Sequence, residues 1–132
     1  MKKYFNLTIA VLCASVAIGV AFAETKAGLK YVMYFASGSS KIAPDADEAA
    51  QMAAAFIQGN AIKQVVLTGY CDASEKNPAA LSHARVKAAA DKLRSLGVPN
   101  TIPFVLKTSQ DLVVPTRPGA SEPLNRQVLI TF

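Results

Sequence analysis

The sequence is poor in the residues that most cofactor and metal sites require. It has no tryptophan, one histidine and two cysteines among its 132 residues. A single histidine supports neither a zinc site nor a catalytic triad convincingly. Neither a glycine-rich phosphate loop nor a cluster with metal-ligand spacing is present in the sequence. The sequence therefore predicts no cofactor and disfavours an enzyme.

A strong charge of one sign is also lacking. The formal net charge is +5, and the lysines and arginines are scattered along the chain. They form no basic run interleaved with aromatic side chains, which is the usual footprint of a nucleic-acid-binding surface. We therefore expect no nucleic acid partner.

The longest uncharged run of the chain lies within the first 23 residues. Lys2 and Lys3 precede an uncharged stretch from Tyr4 to Val20, and Ala21-Phe22-Ala23 has the small-x-small form of a cleavage site. This pattern predicts a secretory signal peptide over residues 1–23. Cleavage after Ala23 would leave residues 24–132 as an exported protein without a membrane span.

Two other interpretations of the leader remain. Tyr4 to Ala23 could span a bilayer as a retained anchor, although Asn6, Thr8 and Ser15 dilute the stretch. Cys13 could indicate a lipoprotein, but it lacks the leucine three places upstream that a lipid-modification site prefers. We favour cleavage after Ala23.

Residues 24–132 are long enough to form one domain around a hydrophobic core. Cys71 is the one cysteine among them, so no internal disulfide can hold the domain together. The apolar and turn patterns predict the order strand, helix, strand, helix, strand, strand, which is an α+β fold. The predicted elements are Tyr31–Phe35, Pro44–Gly59, Ile62–Gly69, Ala79–Leu96, Ile102–Lys107 and Leu124–Phe132.

Apolar periodicity predicts which faces of these elements are buried. The first helix carries its stripe at Ala49, Met52, Ala53, Phe56 and Ile57, and the second at Val86, Ala89, Ala90, Leu93 and Leu96. Lys87, Lys92 and Arg94 are expected on the solvent side. The continuous run Val65-Val66-Leu67 predicts a strand buried on both faces.

The stretch from Leu67 to Arg85 holds the main candidate site. It places Asp72 at the end of a strand and Arg85 on the first turns of the next helix, and we expect both to face one crevice, a favoured ligand position in open α/β layers. An aspartate and an arginine together suit an amino-acid zwitterion, because the arginine offers a bidentate fork to a carboxylate. A structural ion pair between the two is the plain alternative.

Several ordered motifs carry a family resemblance. They are Tyr34-Phe35 followed by Ser39, Gly69-Tyr70-Cys71-Asp72, Asn77 followed by Leu81-Ser82-His83-Ala84-Arg85, Gly97-Val98-Pro99 and Asn125-Arg126-Gln127-Val128. Together they resemble the C-terminal domain family of outer-membrane protein A (OmpA-like), which includes the peptidoglycan-associated lipoprotein and MotB. The resemblance implies a two-layer sandwich with the helices packed on one face of a mixed sheet.

The resemblance also implies a function. Members of this family bind peptidoglycan without catalysis, through the meso-diaminopimelate of the peptide stem, and the two ligand-holding residues carry over to Asp72 and Arg85. Further pocket residues implied by the same motifs are Cys71, Asn77, Leu81, Asn125 and Arg126. The expected location is the periplasm of a Gram-negative cell, in association with the outer membrane or the cell wall.

Departures from the family pattern keep two alternatives open. Tyr70 and Cys71 stand where the family has histidine and threonine, and the segment from Asp72 to Arg85 is shorter than expected. A divergent subunit of an envelope secretion or pilus complex, acting by protein contacts without wall binding, is the first alternative. Thiol chemistry by Cys71, His83 and Asp72 is the second, and we disfavour it because His83 is expected on the exposed side of its helix.

Overall fold

Two α-helices and four β-strands make up residues 29–132, which are the residues that the computed structural model describes. The predicted signal peptide and Cys13 lie outside this range. In chain order the elements are β1 (Lys30–Tyr34), α1 (Pro44–Gly59), β2 (Val65–Gly69), α2 (Pro78–Ser95), β3 (Phe104–Thr108), a short 3-10 helix (Pro123–Asn125) and β4 (Gln127–Thr131). The predicted order is confirmed. β2 starts three residues later than expected, and Leu124 belongs to the 3-10 helix instead of the last strand.

The strands form one mixed sheet in the order β1-β4-β2-β3. β4 runs antiparallel to β1 and β2, and β3 runs parallel to β2. The carboxyl ends of β1, β2 and β3 therefore lie at the same end of the sheet as the start of β4. Three loops meet there: the β1–α1 loop (residues 35–43), the β2–α2 loop (residues 70–77) and the β3–β4 loop (residues 109–126).

Proline and glycine set the ends of the helices. Pro44 and Pro78 occupy the first helical positions, where the missing amide costs no hydrogen bond. Gly97 follows α2 with a φ of +100°, the left-handed conformation that favours glycine after a helix. Gly59 is the last residue of α1, and Asn60 is the extended residue that ends the helix.

Both helices cover the same face of the sheet, and the core lies between them and it. The buried face of α1 consists of Ala46, Ala50, Ala53, Ala54 and Ile57. The predicted stripe on this helix is therefore partly wrong: Met52 is 55% exposed, because α1 turns its small alanines toward the sheet and packs closely against it. Phe56 is half-buried against the rings of Tyr31 and Phe132, with centroids 6.1 and 5.0 Å away.

The second helix follows its predicted stripe more closely. Val86, Ala89, Ala90 and Leu93 are buried, and Leu96 packs against the core. Arg94 corrects a prediction, because its guanidinium stacks on the ring of Phe104 at 3.6 Å instead of facing solvent. Val66 is half-buried between fully buried neighbours, so the expectation that β2 is buried on both faces is wrong. The reason is that helices cover one face of the sheet only.

Gly69 ends β2 at the closest approach of α2. A Cβ atom at this position would lie 2.5 Å from Val86 Cγ2 and 2.6 Å from the Ser82 carbonyl oxygen. Those distances are too short for any side chain, and the Ser82 oxygen belongs to the helix backbone. The absence of a side chain at Gly69 therefore lets α2 lie against the end of β2 and brings the β2–α2 loop into place.

We expect Gly69→Ala to lower the free energy of unfolding by about 1–3 kcal/mol or more, because the new methyl group overpacks the contact with α2. Gly59→Ala is the matched control, since a Cβ there meets nothing within 4 Å. Urea denaturation of both variants measures the difference. Equal stability of the two variants would contradict this packing account.

Candidate ligand-binding cleft

Arg85 is the largest fully buried side chain of the described residues and lies at the centre of the three loops. It projects from the second turn of α2, next to the end of β2. Its guanidinium carbon lies 5.5 Å from the centre of the Phe35 ring. A buried guanidinium is costly unless all its N–H groups find acceptors, so the surrounding residues are expected to supply them.

The β1–α1 and β2–α2 loops supply three of these acceptors from their backbones. Arg85 Nε donates to the Ser39 carbonyl at 2.9 Å, Nη2 to the Ala36 carbonyl at 3.1 Å, and Nη1 to the Tyr70 carbonyl at 3.1 Å. The guanidinium thus fixes two loops that are remote in sequence. Two N–H groups remain after these bonds, both on the outer edge of the fork.

Glu75 accepts both remaining bonds. Arg85 Nη1 lies 2.8 Å from Glu75 Oε1, and Nη2 lies 2.5 Å from Oε2, with both side chains fully buried. The Asp72 and Gly38 amides also donate to this carboxylate, at 2.9 and 2.8 Å. Burial by itself raises the pKa of Glu75, but the bonds from Arg85 and the two amides outweigh it and lower the pKa below its ordinary value.

Asp72 has a separate cationic partner. Its Oδ2 accepts from Arg126 Nη1 at 2.9 Å, and its Oδ1 accepts from the Ser74 amide and hydroxyl at 3.0 and 2.7 Å. The Glu122 amide and the Ser121 hydroxyl approach Oδ2 at 3.3 and 3.4 Å. Burial opposes ionisation of this carboxyl, yet the donors, led by Ser74 and Arg126, lower the pKa of Asp72 to about 2.

The sequence-predicted pair is therefore divided between two ion pairs. Arg85 pairs with Glu75 and Asp72 pairs with Arg126, so the alternative of an Asp72–Arg85 structural ion pair is wrong. The two pairs are neighbours, because Glu75 Oε1 accepts from the backbone amide of Asp72. Sequence reasoning missed Glu75. The one sequence feature that could have pointed to Glu75 is that it is a carboxylate in the polar loop between Asp72 and Arg85.

Cys71 lies buried in the wall of this region. Its sulfur contacts the Ser82 hydroxyl at 3.1 Å and the Pro78 carbonyl at 3.3 Å. Burial raises the pKa of the Cys71 thiol, whereas a nucleophilic cysteine needs a lowered pKa. His83 is exposed on α2, as its sequence position predicted. The contacts around Cys71 therefore favour a packing role.

Asn125 and Arg126 hold the β3–β4 loop in place. The fully buried Asn125 side chain accepts from the Val114 amide at 2.7 Å and donates to the Val114 carbonyl at 3.0 Å. Arg126 Nε donates to the Phe35 carbonyl at 3.1 Å, in addition to its pair with Asp72. Both residues lie around the site without lining the cleft described below.

Asn77 and Leu81 lie at the start of α2. Asn77 has a φ of +51°, is exposed, and directs its carbonyl to the Leu81 amide at 3.1 Å. The left-handed backbone of Asn77 turns the chain sharply into the helix. Leu81 is half-buried. Both residues position α2, and neither lines the cleft.

A cleft of about 260 Å³ opens between the β2–α2 loop and the start of the β3–β4 loop. Acidic, apolar and amide-bearing residues line it together, which suits a small polar ligand with an aliphatic part. The lining residues are Cys71, Asp72, Ala73, Glu75, Pro78, Ser109, Gln110 and Leu112. Within residues 29–132, no three His, Cys, Asp or Glu side chains are grouped to hold a metal ion.

Comparison with known families decides what this arrangement is related to. Residues 34–126 match the model of the OmpA family. The chain belongs to the OmpA family. This assignment confirms the resemblance seen in the sequence motifs and covers every element from the end of β1 to the start of β4. No curated protein matches the chain in a direct comparison.

Solved structures show the same fold. The OmpA-like domain of FopA1 from Francisella tularensis has a TM-score of 0.67 and 21% identity, covering 78% of this chain and 70% of that one. The peptidoglycan-associated lipoprotein from Burkholderia pseudomallei has a TM-score of 0.65 and 20% identity, covering 76% and 88%. A periplasmic domain of Helicobacter pylori MotB has a TM-score of 0.58 and 18% identity, covering 75% and 68%. The predicted OmpA-like sandwich is confirmed.

Neither α1 nor α2 is long and apolar enough to cross a bilayer, and no other helix in residues 29–132 is.

Acid should weaken the fold through the two buried carboxylates. A carboxyl whose pKa is lowered on folding stabilises the native state above its unfolded pKa, and this stability is lost as the pH falls through the folded value. For Asp72 and Glu75 the loss begins below about pH 4.5, the ordinary value of Glu75, and continues to about pH 2, the folded pKa of Asp72. Urea denaturation across this range measures it.

Asp72→Asn should make this loss of stability shallower, because one of the two linked protonations is removed. Asp91→Asn is the control, since it removes the same charge from the exposed pair with Lys87. If the free energy of unfolding of Asp72→Asn fell as steeply as that of Asp91→Asn between pH 4.5 and pH 2, the stabilising role given to the Asp72 carboxylate would be wrong.

Proposed function

We propose that this protein binds peptidoglycan in the periplasm, without catalysis, through the meso-diaminopimelate of the peptide stem. The observation that carries the proposal is the cleft at the carboxyl end of the sheet, where Asp72 is a lining residue and the Arg85 fork lies behind Glu75. Membership of the OmpA family supports it. So does the fold shared with a protein named as peptidoglycan-associated.

The chemistry of the ligand matches the charges of the site. The D-centre of diaminopimelate presents an ammonium and a carboxylate on one carbon. In the proposed complex the ammonium faces Asp72, whose pKa of about 2 keeps it ionised at any physiological pH. The ligand carboxylate takes the two outer N–H groups of Arg85 in place of the Glu75 carboxylate, because a guanidinium binds a carboxylate in a bidentate manner. The aliphatic part of the ligand lies against Pro78 and Leu112 in the cleft.

Co-sedimentation of residues 24–132 with purified sacculi tests the proposal. We expect the protein to pellet and free meso-diaminopimelate to release it. Asp72→Asn should weaken retention at least about tenfold, the effect of losing roughly 1.4 kcal/mol from a charged contact. Asp91→Asn, with the same charge change on an exposed pair, should pellet as the wild type does. Folded wild type that stays in the supernatant would overturn wall binding.

A second candidate function is that of a protein-interaction subunit of an envelope secretion or pilus complex that has no wall affinity. The observation that favours it is the complete use of the Arg85 donors by the protein's own groups. In this case neither the wild type nor a variant of the cleft would pellet with sacculi. Capture by cross-linking in intact cells would then identify the envelope partner.

Export to the periplasm is part of the same proposal and has its own test. If residues 1–23 are a signal peptide, the mature protein begins at Glu24. Intact-mass spectrometry of the protein recovered from a periplasmic extract should give the mass of residues 24–132. Recovery of the uncleaved chain in the membrane fraction would support the retained anchor instead.

A further inference from the structure

The Glu75 carboxylate occupies a pocket built from four N–H donors. They are the Gly38 amide at 2.8 Å, the Asp72 amide at 2.9 Å, and Arg85 Nη1 and Nη2 at 2.8 and 2.5 Å. A carboxylate has about four lone-pair positions, so each oxygen receives two bonds and the pocket is filled. The donors come from two different loops and a helix, and together they form a complete carboxylate-binding site.

Arg85 has anchors in this site other than Glu75. Arg85 is held in place by three further bonds to the carbonyls of Ala36, Ser39 and Tyr70 and by its contact with the Phe35 ring. These bonds position the guanidinium in addition to its two bonds with Glu75. The arrangement is that of a carboxylate receptor whose occupant belongs to the same chain.

Glu75 is attached to this receptor by a short, exposed loop. Its neighbours Ser74 and Lys76 are both exposed, and its own amide makes a long bond of 3.3 Å to the Asp72 carbonyl. No helix or strand has to break for Glu75 to move away. Glu75 also lines the cleft beside Asp72, so its departure would join the cleft to the Arg85 fork.

We propose that Glu75 is an internal ligand of the Arg85 carboxylate site, and that an external carboxylate binds Arg85 by displacing it. The identity of the external ligand as a stem-peptide carboxylate rests on the function proposed above, whereas the carboxylate site itself does not. A tethered group acts at an effective concentration on the order of millimolar. Because the open form of the site is the binding-competent one, Glu75 lowers the apparent affinity in proportion to the time it occupies the pocket.

Removing the internal ligand should strengthen wall binding. We expect Glu75→Ala and Glu75→Gln to bind sacculi at least about tenfold more tightly than the wild type, in the same co-sedimentation assay. Asp91→Asn is the charge-matched control, since each of the three variants loses one negative charge. Circular dichroism establishes that each variant is folded, and Glu75→Gln keeps the shape of the side chain in case Glu75→Ala does not fold.

A second measurement tests the carboxylate site without the wall. Glu75→Ala lacks one methylene and one carboxylate, which is the size of acetate. Sodium acetate should raise the thermal midpoint of Glu75→Ala in a saturable manner. Acetamide and sodium chloride should not, and acetate should have little effect on the wild type. The thermal midpoint of Glu75→Gln should respond less to acetate, because the glutamine amide still fills the pocket.

The two measurements separate this inference from the proposed function. Tighter sacculus binding by the Glu75 variants together with acetate stabilisation supports both. If the wild type and the Glu75 variants bind sacculi equally, the wall ligand does not displace Glu75 and the inference fails while wall binding stands. If nothing binds sacculi but acetate stabilises Glu75→Ala, wall binding fails and the carboxylate site stands. No sacculus binding and no acetate response overturns both.

Discussion

The buried guanidinium of Arg85 is the constraint on which the end of the domain where the three loops meet depends. A charged group removed from water must have every donor paired, and Arg85 meets this requirement with backbone carbonyls from two loops and one carboxylate. Breaking such a buried pair costs about 3–5 kcal/mol, a large fraction of the roughly 5–15 kcal/mol that stabilises a typical domain. The loops around Arg85 are therefore held by electrostatics as much as by apolar packing.

A second ion pair extends the same principle to the last loop. Asp72 and Arg126 join the β2–α2 loop to the β3–β4 loop, and Asn125 secures that loop through the backbone of Val114. The hydrophobic core beneath, built from small alanines of α1 and the stripe of α2, provides the support for these polar contacts.

The sequence predicted those features that local signals determine. Pro44 and Gly97 mark helix ends by their own backbone geometry, and the order of elements follows from apolar periodicity. The buried face of α1 was harder to predict, because alanines occur on several sides of this helix. Only its packing against the sheet decides which of them are buried. The role of Glu75 could not be assigned from sequence, since one of its partners, Gly38, is 37 residues away. The pair of Asp72 with Arg126 could not be assigned either, because 54 residues separate the two. Such contacts depend on the folded chain.

The central claim is that the Arg85 fork is a carboxylate site with Glu75 as its resident occupant. Carbon-detected NMR of the wild-type protein, with the side-chain carboxyl of Glu75 assigned, tests it most directly. Titration with a diaminopimelate-containing stem peptide should shift the Glu75 carboxyl resonance toward that of a solvated glutamate, while the Arg85 Nε–H resonance remains that of a paired guanidinium. A peptide that binds in the cleft without moving the Glu75 resonance would contradict the account.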